Sequence, residues 1–66
     1  DKVKLALYDM IFNLGMPNLK NGYPNFNRHI RNGDWAAAAR ESRRGGISDE
    51  RNLYVRNLLN QAAGRP

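Results

Sequence analysis

The principal residues able to do acid–base or nucleophilic chemistry are few. They are the carboxylates of Asp1, Asp9, Asp34, Glu41, Asp49 and Glu50, the imidazole of His29, and the hydroxyls of Ser42 and Ser48. Hydrolysis by paired carboxylates needs two acids in one cleft, in environments that drive their pKa values apart. Asp34, Asp49 and Glu50 fall at helix starts, where capping and the helix dipole account for them. Glu41 sits among arginines, so Asp9 alone has an unusual setting. The two serines have only His29 as a potential base, and that residue lies between Arg28 and Arg31 on a short polar stretch, where a surface histidine is expected. Gly45-Gly46 lacks the preceding strand and the following lysine of a phosphate loop. No cysteine and a single histidine leave no metal site of thiolates or several histidines, and no cofactor is expected.

Asp9 is set in the stretch that organises the chain, Val3 to Leu14. Val3, Leu7, Ile11 and Leu14 form one apolar ridge at helical spacing, and Leu5, Tyr8 and Phe12 form a second. With Ala6 and Met10 between them, this helix is apolar around most of its circumference, which predicts a buried central helix. Asp9 and Asn13, one turn apart, interrupt it with a polar edge. On periodicity alone that edge is a solvent contact between packed helices.

The remaining elements follow from their punctuation. Gly15 is a left-handed cap and Pro17 stops continuation, so Met16 to Tyr23 reads as a loop containing one helical turn. Pro24 opens a short helix that carries Phe26 and Ile30 and closes at Gly33. Asp34 caps the helix of Trp35 and the four alanines that follow, whose small side chains allow close approach to a neighbour. Arg43-Arg44-Gly45-Gly46 breaks the pattern. Ser48 caps a final helix to about Ala62, with Val55, Leu58, Leu59 and Ala62 as its buried stripe, joined by Tyr54. Gly64-Arg65-Pro66 reads as a frayed tail. The expectation is an all-α bundle of about four helices around a buried first helix, forming a single domain over residues 1–66.

Sixty-six residues with a net charge of +5 favour anionic partners such as nucleic acid, an acidic membrane or a bacterial wall. No apolar run has the length of a membrane span, and none reads as a signal peptide. The arginines are spread over several helices and do not line one recognition face, which disfavours nucleic-acid binding. The chain begins at Asp1, within a turn of its strongest helix, so a piece of a longer protein is expected.

Ala6-Leu7-Tyr8-Asp9-Met10-Ile11-Phe12-Asn13-Leu14-Gly15 resembles the helix that opens the C-terminal lobe of phage-type lysozymes, glycoside hydrolase family 24. Phe26 to Ile30, then Asn32-Gly33-Asp34-Trp35 and the alanine run, are similar to that family's short helix, turn and alanine pair. Ser42-Arg43, Ser48, Arg51-Asn52 and the last helix resemble its closing segment. The resemblance covers nearly the whole chain, in order and with compatible spacing. It implies a lysozyme-like C-terminal lobe whose partner is peptidoglycan and whose reaction is cleavage of the β-1,4 bond between N-acetylmuramic acid and N-acetylglucosamine. The family's catalytic Glu, with its assisting Asp and Thr, lies in an N-terminal lobe upstream of the matched region. No catalytic residue is therefore assigned in this chain, which also has no threonine. The resemblance places Asp9 and Asn13 on the helix edge facing the substrate cleft. It matches Arg51 to an arginine that pairs with the catalytic glutamate across that cleft. Arg44-Gly45-Gly46 departs from the aromatic-bearing turn of some members. The implied place of action is the bacterial cell wall, in the periplasm or outside the cell. The alternatives are a non-catalytic wall-binding or interaction module and a small basic helical nucleic-acid binder.

Overall fold

The computed structural model describes residues 1–64, and every regular element in that range is a helix. In chain order these are α1 (Lys2–Leu14), α2 (Met16–Gly22), α3 (Pro24–Asn32), α4 (Trp35–Arg40) and α5 (Asp49–Ala62). The all-α bundle expected from the sequence is present, with five helices where the punctuation suggested four. The additional one is α2, which the Pro/Asn/Gly content of Met16 to Tyr23 disguised as loop. Pro17 stands in its first turn, where a missing N–H costs nothing, so the residue that stops α1 also suits the start of α2. Gly15 turns the chain between them at φ 77° and ψ 153°. That region is open essentially to glycine alone and lies outside the left-handed helical basin expected for the cap.

The expected caps on the other helices are made. The Asp34 carboxylate accepts from the Ala37 N–H at 3.2 Å, and the Ser48 hydroxyl accepts from the Arg51 N–H at 3.3 Å. Gly33 closes α3 in the left-handed helical conformation. Asp1 adds a cap not foreseen, accepting from the Lys4 N–H at 3.1 Å.

The core joins Ala6 and Met10 of α1 to Leu19 of α2, Phe26 of α3, Ala38 and Ala39 of α4, and Val55, Leu58 and Leu59 of α5. Val3, Leu7, Ile11 and Leu14, the first ridge of α1, pack against this cluster from its margin. The second ridge does not. Leu5, Tyr8 and Phe12 are 49%, 65% and 81% exposed, so α1 is buried along one side only. Tyr54 also faces outward instead of joining the α5 stripe, and Ala62 is half-buried. The Gly64 end of the expected frayed tail forms a turn. Arg65 and Pro66 lie outside the described residues. No helix among the described residues is long and apolar enough to cross a membrane.

Candidate functional site

The site grows from the polar edge of α1. Packing α1 along α5 brings Asp9 against the start of α5 and the loop that precedes it. The Asp9 carboxylate there meets two arginines. Arg44 Nη1 lies 3.0 Å from Asp9 Oδ2, and Arg51 Nη1 lies 3.5 Å from Asp9 Oδ1. Asn13, one turn further along α1, donates from Nδ2 to the Asp9 carbonyl at 2.8 Å and to Oδ2 at 3.3 Å. Asp9 and Asn13 thus face each other as their spacing predicts, and Arg51 joins them from another helix. The three residues that the family resemblance singled out therefore meet in one cluster.

Arg44 is the member that sequence reasoning missed. Its side chain is fully buried, and all three guanidinium nitrogens are engaged. Nε donates to Asn52 Oδ1 at 3.1 Å, Nη1 to Asp9, and Nη2 to the Arg51 carbonyl at 3.0 Å. Asn52 also clamps the backbone: Oδ1 accepts from the Arg44 N–H at 2.9 Å, and Nδ2 donates to the Arg44 and Ile47 carbonyls at 3.1 and 3.3 Å. A buried charge is tolerated only when it is paired and its hydrogen bonds are made. Here both conditions hold, and no buried side-chain polar atom among the described residues lacks a partner. An arginine next to two glycines looks like a solvated loop residue. The one available signal was Asn52, a polar residue on a helix whose neighbours Val55 and Leu59 are core.

The two arginines have different capacities. Arg51 is 53% exposed, and its contact with Asp9 is long for a charge-assisted bond, which is typically about 2.7–2.9 Å. Apart from that bond its guanidinium makes no hydrogen bond among the described residues, which leaves donors free for a further carboxylate or phosphate. Two cations around one carboxylate give the cluster a net charge of about +1 by simple addition, a setting that attracts an anion.

The hydroxyls weighed as nucleophiles are used structurally. Ser42 is buried and donates to the Ala39 carbonyl at 2.8 Å, and Ser48 is the cap of α5. No group of three or more His, Asp or Glu residues among those described could hold a metal ion. Beside the cluster stands the uncovered ridge of α1: Tyr8 precedes Asp9, and Leu5 and Phe12 lie about one turn to either side of it. No family model matches the chain, and no curated protein or solved structure was found to be similar to it.

Proposed function

We propose that this chain is the helical lobe of a phage-type muramidase, forming one wall of a peptidoglycan cleft, with the catalytic glutamate contributed by a second lobe. The observation that carries the reading is the pairing of a partly free arginine with an uncovered apolar ridge. Leu5, Tyr8 and Phe12 form a strip that water does not favour, and exposed apolar strips rimmed by polar groups mark interaction surfaces. Arg51 stands at its edge with donors to spare. A docked lobe that covers the ridge and offers a carboxylate to Arg51 would bury the first and complete the second. The resemblance of the α1 segment to the lysozyme family supplies the identity of that carboxylate.

In this reading the guanidinium of Arg51 favours the ionised state of the glutamate and restrains its orientation. Asp9 holds Arg51 from the other side. Asn13 keeps its amide oxygen, which accepts no hydrogen bond among the described residues, as a candidate acceptor for a sugar N–H or hydroxyl. The positive charge of the chain assists encounter with an anionic wall, an effect that weakens as salt rises.

The chain alone is expected to leave a bacterial wall suspension turbid, and to clear it when the missing lobe is supplied covalently or in trans. Clearing by the isolated chain overturns the proposal. Pull-down on insoluble peptidoglycan, set against a DNA gel shift at two salt concentrations, separates it from a nucleic-acid binder. Retention on DNA but not on peptidoglycan would replace it.

A further inference from the structure

A second basic feature borders the Asp9 cluster at Asn52, in a groove of about 230 Å³ lined by α4, the following loop and α5. Its charged lining consists of Arg40 from α4, Arg43 from the loop, and Arg56 and Asp49 from α5, and Ala39 and Leu53 add apolar surface. All three arginines are exposed. Both ion pairs among the described residues are made by Asp9, so none of these three guanidiniums has a carboxylate partner within 4.0 Å among those residues. Nor does any of them donate a hydrogen bond to the described residues. Arg44, the fourth arginine of this region, is wholly consumed by its own partners.

We propose that the α4–α5 groove is a binding site for a multiply charged oxyanion, carboxylate or phosphate. The reasoning is electrostatic and geometric. Three arginine residues contribute to the wall of one small groove, and like charges gathered in one region repel one another, a cost that a bound anion relieves. A single Asp49 carboxylate, placed where it complements the dipole of α5, leaves the lining at a net charge of about +2 by addition. Planar guanidiniums match carboxylate and phosphate oxygens two at a time, which a lysine patch would not do. The other polar lining residues, Ser42 and Asn52, are committed to the Ala39, Arg44 and Ile47 backbone and do not compete for the ligand. Arg51 does not line the groove, and the proposal does not depend on the muramidase reading.

The test titrates the protein with sodium pyrophosphate and, separately, with glutarate at constant ionic strength, following the arginine Nε–H signals by NMR. Saturable shifts at Arg40, Arg43 and Arg56, without matching shifts at Arg28 and Arg31 on α3, are expected. Saturation by pyrophosphate alone identifies a phosphate ligand, by glutarate alone a carboxylate ligand, and by both the shared chemistry. The double variant Arg43→Gln/Arg56→Gln should weaken binding about fivefold. Arg28→Gln/Arg31→Gln removes the same charge elsewhere and should leave affinity within about twofold. All four positions are exposed, so the variants are expected to fold; if they do not, the wild-type shifts still decide. Shifts spread equally over every arginine, equal weakening by the two double variants, or no saturation with either anion overturns the proposal.

Discussion

Arg44 and Arg51 share one carboxylate and have opposite characters. Arg44 is sealed between α1 and α5, with every guanidinium nitrogen bonded, and holds Asp9 at 3.0 Å. Arg51 reaches the other oxygen at 3.5 Å from a half-open position. The same residue type, seven positions apart, serves as interior scaffold in one case and as an available cation in the other. What separates them is solvent. Removing one partner of a buried pair strands a charge, whereas an exposed pair exchanges its partner for water at little cost.

That contrast can be broken most sharply at Asp9. Asp9→Ala removes the only carboxylate paired with Arg44 among the described residues and should destabilise the protein by about 3–5 kcal/mol. A chain of this size has a total stability of only about 3–10 kcal/mol, so urea denaturation should show a midpoint far below that of the unmodified chain. An Asp9→Ala midpoint equal to that of the unmodified chain would show that Arg44 does not rely on the pair. Asn52→Ala comes next. It leaves the Arg44 N–H and Nε–H without their acceptor and should cost about 1–3 kcal/mol, read as a lower denaturant midpoint with an unchanged slope.

Arg51→Ala should move stability by less than about 1 kcal/mol. If the proposed muramidase reading holds, the same change in the chain reunited with its second lobe should cause a large loss of wall clearing, so stability and activity part company. An equal loss of both would erase the distinction between the two arginines. The smallest effect on folding is expected at Phe12. Because it is 81% exposed, Phe12→Ser should shift the unfolding free energy by no more than about 0.5 kcal/mol. On the proposed reading it should, however, weaken association with a separately supplied second lobe, measured by titration calorimetry.

The sequence was most informative where a signal was local. The caps at Asp34 and Ser48, the closure at Gly33 and the Val55, Leu58 and Leu59 part of the α5 stripe depend on neighbours a few residues away, and each is formed. Asp9 and Asn13 stood out because they interrupted an otherwise apolar helix. Besides α2, two features were not legible for one shared reason: they depend on how many neighbours a surface finds. Periodicity marked Leu5, Tyr8 and Phe12 as an apolar ridge, but five short helices offer too little surface to cover both sides of α1. Arg44 looked like a solvated turn because its burial comes from Asp9, 35 positions away, and from Asn52 across the loop. Arg51 stood out only through the family resemblance, since by charge alone an arginine near a helix start is mildly unfavourable.

The anchoring of Arg44 also sets how the loop meets a protease. The loop between α4 and α5 carries adjacent basic residues and two glycines, a composition that trypsin-like enzymes cut readily. Cleavage after arginine requires that side chain to leave the protein and fill the enzyme's specificity pocket. Arg43 is exposed and able to do so, whereas Arg44 must first give up Asp9, Asn52 and the Arg51 carbonyl. Cleavage after Arg43, however, breaks the bond whose N–H is Arg44's own, held by Asn52 at 2.9 Å, so either cut waits for the Arg44 anchor to let go. The rate of nicking in this loop then becomes a clock for the opening of the Asp9 cluster.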